Sequence, residues 1–209
     1  MPRPKDYHVK VDRRDSTTFV IAFEGEKTEL IYFRSLTVGR RRVNLVPLPT
    51  EPDGKSAPKH LLFRLDEWLV RNAVREADRM ALWLVMDVDH HFRGNHVRDT
   101  HGTLDEARRR NVQVAVSAPC FELWLLLHLE EVDQVCTCDA VEQRLKFLMQ
   151  GYNHNRYDPT GLLPGVAEAV RRAEALDATP DQREPSNPGT QVFRLVRALD
   201  RAGARITMS

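Results

Sequence analysis

The segment Met80-Ala-Leu-Trp-Leu-Val-Met86 is apolar throughout and stops abruptly at Asp87-Val-Asp89. A strand that is covered on both faces has this kind of sequence, whereas a strand with one face in water alternates apolar and polar residues. Parallel sheets with helices on both faces provide such cover. The segment therefore predicts a central strand of an α/β domain that ends on carboxylates.

Strands and helices alternate around this segment. The run Thr17–Phe23 is rich in β-branched and aromatic residues and ends at Glu24, which predicts a buried strand. Further strands are predicted at 43–48, which Pro47 favours as an edge strand, and at 112–116. Helices are predicted at 27–36, at 59–77, at 103–110 and from 117 onward with Pro119 in the first turn, and a loop or lid is predicted at 90–100.

This alternation predicts a mainly parallel, four-stranded sheet that is flanked by helices and connected by right-handed crossovers. We expect the α/β domain to cover residues 17–130, after a flexible N-terminus at 1–16. The remaining residues, 131–209, are expected to form a helical region that packs on the domain. Its helices are predicted at 140–149, 165–176 and 190–201.

Composition argues against a membrane protein and against a protein whose overall charge attracts nucleic acid. The 209 residues contain no apolar run near the roughly 20 residues that span a bilayer, and the N-terminus has no apolar signal region. We therefore expect a cytoplasmic protein without a membrane partner, whose three cysteines are reduced. The net charge is +1, so a local basic patch must hold any anionic partner. The candidate patches are the arginines at 13–14, 40–42, 108–110 and 171–172.

Acidic residues follow three of the four predicted strands. Glu24 ends the first strand, Asp87 and Asp89 end the third, and Glu122 lies just beyond the fourth. Ligands bind parallel α/β sheets outside the carboxyl ends of the strands, where the loops converge. Alternation along the chain directs Asp87 and Asp89 to one side. Their repulsion costs stability unless a cation compensates it.

Hard divalent cations with oxygen ligands provide that compensation, and Mg²⁺ binds one or two carboxylates together with waters and phosphate oxygens. Phosphoryl chemistry is the use that this arrangement favours, with Mg²⁺ as the cofactor and Mn²⁺ as a substitute. Asp87 is expected to be the principal metal ligand, with Glu24 and Asp89 as further ligands. Glu24 and Glu122 are candidates for the general base, and Glu122 is also a candidate for an added metal ligand.

Three segments stand out as a set: Glu24-Gly-Glu-Lys-Thr-Glu-Leu-Ile-Tyr-Phe33, Asp87-Val-Asp89 and Ser117-Ala-Pro-Cys-Phe-Glu-Leu-Trp-Leu-Leu-Leu-His128. A fourth is Asn187-Pro-Gly-Thr-Gln-Val-Phe-Arg-Leu-Val-Arg-Ala-Leu199. Together these segments resemble the RloB-like family of abortive-infection proteins. The resemblance implies a Toprim-like fold in which the first-strand Glu and the Asp-x-Asp form the metal site. It also implies an effector of antiphage defence that works with an ABC-like or AAA ATPase.

The leading hypothesis is a Mg²⁺-dependent nuclease that cleaves DNA or RNA, with tRNA among the candidate substrates. The alternative is a catalytically silent Toprim-fold module that docks on an ATPase. Lys27, at a helix N-terminus beside the acids, is a candidate phosphate ligand or the partner of a local glutamate. His90 and Lys55 are further substrate-binding candidates beside their structural interpretations as loop and solvent-facing residues. The oligomeric state stays open, homo-oligomers included.

Overall fold

A central sheet organises the part of the chain that the computed structural model describes, which is residues 16–50, 57–74, 80–88, 97–177 and 182–206. Within these residues the sheet has the strand order β2-β1-β3-β4-β5. The first four strands are parallel, and β5 runs antiparallel to β4. The strands are β1 (Thr17–Phe23), β2 (Val43–Leu48), β3 (Met80–Asp87), β4 (Gln113–Ala118) and β5 (Gly189–Thr190).

Helices connect and cover these strands. The α-helices are α1 (Thr28–Thr37), α2 (Pro58–Arg71), α3 (Val97–Arg109), α4 (Glu122–Leu126), α5 (Cys138–Leu148), α6 (Val166–Leu176) and α7 (Val192–Leu199). A 3-10 helix at Thr160–Gly165 precedes α6, and a π-helical turn at Asp200–Ala204 follows α7. None of the helices seen in the described ranges combines the length and the apolar character that a membrane span requires.

The sheet has a hydrophobic core on each face, because successive side chains of a strand point to opposite sides. Val20 and Ala22 belong to the core that α2 and α3 cover, and their neighbours Phe19, Ile21 and Phe23 belong to the other. Apolar residues of α1 and α4 to α7 join this second core. The expected α/β architecture and the edge position of β2 are confirmed.

The prediction of four strands was wrong, because β5 adds a fifth. This strand has only two residues, Gly189 and Thr190, which is too short for a periodic pattern, and the predicted third C-terminal helix was placed over its end. The prediction for Pro119 was also wrong. Strand β4 continues to Ala118 and α4 begins only at Glu122, so Pro119 lies in the connection between them.

Two helix boundaries also differ from the predicted ones. Helix α2 ends at Arg71 rather than at residue 77, because Ala73 adopts the left-handed backbone conformation, with a φ of 47°, and the side-chain amide of Asn72 donates to the Trp68 carbonyl. Residues 97–100, predicted as loop or lid, form the first turn of α3. The remainder of that predicted loop lies outside the described residues.

Candidate active site

Glu24 and Asp87 meet at the carboxyl edge of the sheet, where adjacent parallel strands end together. Phe23 pairs with Val85 across β1 and β3, and the Glu24 N–H donates to the Val85 carbonyl at 3.0 Å. At the end of β3, the Asp87 N–H donates to the side-chain atom Glu24 Oε2 at 2.9 Å. The parallel register therefore brings these two acids into direct contact although 63 positions separate them in the chain.

Asp87 carries an unsatisfied acceptor. Among the described residues its buried Oδ1 atom has no hydrogen-bond partner, while the backbone N–H of Phe121 donates to the carboxylate. Burial raises the pKa of Asp87 well above its usual value, and repulsion from Glu24, Glu29 and Glu122 raises this pKa further. A buried acceptor without a partner costs about 1–3 kcal/mol, and more when it is charged. The Asp87 carboxylate is therefore poised for a proton or a cation.

Glu122 is the first residue of α4 and lies at the same edge of the sheet. It is half-buried, and Tyr152 Oη donates to Glu122 Oε1 at 3.5 Å. Repulsion from Glu122 contributes to the raised pKa of both Asp87 and Glu29. The short connection after β4 thus brings a third strand's acid to the edge, as the sequence predicted it would.

Glu29 is a fourth acid of this edge, and our reading of the sequence missed it. Its side chain is 4% exposed, and Gly25 N–H donates to Oε1 at 3.0 Å. A Cβ atom at position 25 would collide with this carboxylate, so Gly25 provides the space for it. Burial raises the pKa of Glu29 from 4.5 to about 7, with repulsion from Glu122 contributing. Helical spacing places Glu29 three, four and seven residues before the buried Tyr32, Phe33 and Leu36, which could have indicated it.

A C-terminal segment closes one side of the acidic edge. Tyr157 Oη donates to the Thr28 carbonyl at 3.0 Å, and Thr28 Oγ1 donates to the His154 carbonyl at 2.9 Å. Together with the contact from Tyr152 to Glu122, these bonds fix residues 152–157 against the start of α1. The site is therefore built from the α/β part and the C-terminal part together.

The predicted substrate ligands have different outcomes. Lys27 occupies the N-cap position of α1, is exposed, and forms no ion pair with any residue of the described part. The local-glutamate alternative for Lys27 is therefore not seen. Asp89, His90 and Lys55 lie outside the described residues.

The chemistry of the donor set fits a hard cation. Across the described ranges, no three His, Cys, Asp or Glu side chains are arranged to hold a metal ion. Mg²⁺ needs fewer protein ligands than that, since one or two carboxylates and several waters complete its shell. Glu24 and Asp87 supply two adjacent carboxylates, and the Asp87 oxygen without a partner offers a ligand. These residues would hold the ion.

A thiol nucleophile is disfavoured at this edge. Cys120 is 5% exposed, and its hydrogen bond with Cys138 and its burial raise its pKa, which opposes the reactive thiolate. His128 is no base for it, because Nε2 is 3.0 Å from Tyr32 Oη and Nδ1 is 2.8 Å from the Trp124 carbonyl. Burial also lowers the pKa of His128 to about 4. Cys120 is therefore a packed residue of the protein interior.

Comparison with known proteins identifies the family of this chain. Neither the curated proteins nor the solved structures contain a match to the chain. The family model described as RloB-like protein matches residues 19–199, which include Glu24, Glu29, Asp87 and Glu122. Because this match covers most of the 209 residues, the chain belongs to the RloB-like protein family.

Proposed function

We propose that this protein is a Mg²⁺-dependent phosphodiester nuclease with a Toprim-like domain. The observation that carries the proposal is the buried Asp87 oxygen without a partner, next to three other carboxylates. A cluster of this kind destabilises the metal-free protein, so it has to be explained by what it binds. A divalent cation would offset the repulsion among these carboxylates, and it would also bind the phosphate oxygens of a substrate. Phosphoryl transfer is the chemistry that this arrangement favours.

The bound metal would polarise the phosphate and lower the pKa of an attacking water. Glu24 and Asp87 would hold the ion, with Asp89 as a further ligand. Glu29 is suited to hold and release a proton near neutral pH, because its pKa is about 7. Glu122 is half-buried and is not needed to hold the ion, so it would take a proton from a water that enters from solvent.

The substrate of the proposed reaction is nucleic acid. As a member of the RloB-like family, this protein would act as an effector of antiphage defence. Its candidate substrates are DNA and RNA, with tRNA among them. Lys27, exposed beside the acids, would contact a backbone phosphate.

A nuclease assay with controlled metal tests the proposal. Plasmid DNA, single-stranded DNA and tRNA should be incubated with the protein, and cleavage should vanish with chelator and return with Mg²⁺ or Mn²⁺. Ca²⁺ should bind without supporting turnover, because its looser coordination positions the attacking water poorly. Cleavage that persists in chelator would contradict the proposal, and no cleavage of any substrate would favour the silent module.

We further propose that a separate ATPase controls the nuclease. This rests on the family resemblance, and the helical region after residue 130 is the expected docking surface. A pull-down with an ATPase encoded beside this protein should recover a complex. Failure to associate, together with unrestrained cleavage by the isolated chain, would contradict the partnership.

A further inference from the structure

Five arginines form a cluster at the amino ends of the strands, opposite the acidic edge. Arg42 lies just before β2, and its carbonyl accepts from the Thr17 N–H at the start of β1. Arg40 Nη1 donates to the Arg205 carbonyl at 3.2 Å, and the side chain of Arg42 lies against Gly203. The chain after α7 thus joins the loop before β2 in one surface. We call it the arginine cluster; its members are Arg40, Arg41, Arg42, Arg201 and Arg205.

The cluster is exposed and rich in unneutralised charge. All its members except the half-buried Arg40 are exposed, and none forms an ion pair with an acid in the described ranges. Asp200 is the acid of the adjoining turn, and its Oδ1 accepts from the Ile206 N–H at 2.7 Å. Among the described residues, one acid beside five arginines leaves this surface strongly positive.

Several arginines elsewhere on the surface are paired with acids. Arg144 binds Glu130, Arg171 binds Glu131 and Glu168, and Arg197 binds Glu174. The net charge of the chain is only +1, so positive charge is concentrated on this surface, where five guanidinium groups have no acidic partner in the described ranges. Guanidinium groups match phosphate geometry, and a phosphate backbone supplies closely spaced negative charges.

We propose that the arginine cluster binds the phosphate backbone of nucleic acid, as a second anchor for the substrate of the proposed nuclease. This role rests on the proposed function, but backbone binding needs neither metal nor cleavage. Strand β1 separates the two ends of the sheet by about 23 Å, at about 3.3 Å for each residue from Thr17 to Glu24. A substrate that touches both must span about seven base pairs at about 3.4 Å each. Extended or folded nucleic acids are therefore favoured over mononucleotides.

Binding in chelator tests this inference without requiring catalysis. The variant R41Q/R42Q/R201Q removes three charges from exposed positions of the cluster, and R144Q/R171Q/R197Q removes the same number from ion-paired arginines. Fluorescence anisotropy should measure the affinity of both variants and the wild type for a duplex DNA of about 20 base pairs and for a hairpin RNA, over a salt series. Thermal unfolding of each variant verifies that it is folded.

The cluster variant should bind at least about tenfold more weakly, and its slope of log affinity against log salt for the duplex should shrink by about 2.7, at about 0.9 per lost contact. The charge-matched control should behave like the wild type. Equal losses in both variants would show an effect of net charge alone and would overturn the inference. Unchanged binding by the cluster variant, or a wild type that binds neither nucleic acid, would also overturn it. Metal-dependent cleavage in a separate assay would keep the nuclease proposal standing in these cases.

Discussion

Replacing Asp87 by asparagine should abolish metal-dependent cleavage and leave the fold intact. The change removes the charge that the metal needs, and a loss of about 4 kcal/mol of transition-state stabilisation slows a reaction about a thousandfold. The metal-free variant should be at least as stable as the wild type, because an amide relieves the repulsion from Glu24, Glu29 and Glu122. Single-turnover cleavage and thermal unfolding measure the two effects.

Cys120→Ser is the matched control for this experiment. Cys120 adjoins the same edge but has a raised pKa that opposes a nucleophilic role, so the variant should keep its activity. The opposite result, in which cleavage survives the Asp87 change and chelation but disappears with Cys120→Ser, would contradict the metal mechanism and favour a thiol one.

Replacing Glu29 by glutamine should stabilise the metal-free protein by about 3 kcal/mol above pH 7, because the pKa of Glu29 rises from 4.5 to about 7 on folding. Between pH 4.5 and about 7 the native state holds more protons than the unfolded state. The contribution of Glu29 to the free energy of unfolding of the wild type therefore falls as pH rises through this range. Glutamine carries no such penalty and can still accept from the Gly25 N–H. The gain should be absent below pH 4.5 and constant above about 7.

The quantity to measure is the difference in unfolding free energy between variant and wild type, from denaturant unfolding at several pH values. Burial lowers the pKa of His128 from 6.5 to about 4, so its contribution rises with pH over nearly the same window and offsets that of Glu29 in the wild type. The difference removes the His128 contribution. Glu26→Gln, at an exposed neighbouring position, should show no such gain. A pH-independent difference for Glu29→Gln would contradict the assignment of a raised pKa.

The strands and the acids that follow them could be predicted from sequence because both are local patterns. The apolar run before Asp87 indicates a covered strand, and parallel strands end together, so the meeting of Glu24 and Asp87 follows from the register. Glu29 was missed because a glutamate near a helix start is usually an exposed or capping residue. Only the tertiary structure shows that Gly25 opens the space that buries it.

Long-range contacts were beyond local patterns. The hydrogen bond from Tyr157 to the Thr28 carbonyl joins residues 129 positions apart, and nothing in a polar stretch of the C-terminal region indicates that partner. Strand β5 was missed for a related reason, since its two residues acquire a strand conformation only by pairing with β4. The arginine cluster was missed for the same reason, because the contacts of Arg40 with Arg205 and of Arg42 with Gly203 depend on where the chain runs after α7.

Calorimetric titration of Mg²⁺ into the metal-free protein tests the metal site most directly. Just below pH 7 the wild type should bind Mg²⁺ saturably, with release of protons to the buffer, because the raised pKa values of Asp87 and Glu29 favour carboxyls that lose their protons when a cation binds. Asp87→Asn should abolish this binding. A wild type that binds no Mg²⁺, or an Asp87→Asn variant that binds it equally well, would contradict the metal site at this edge.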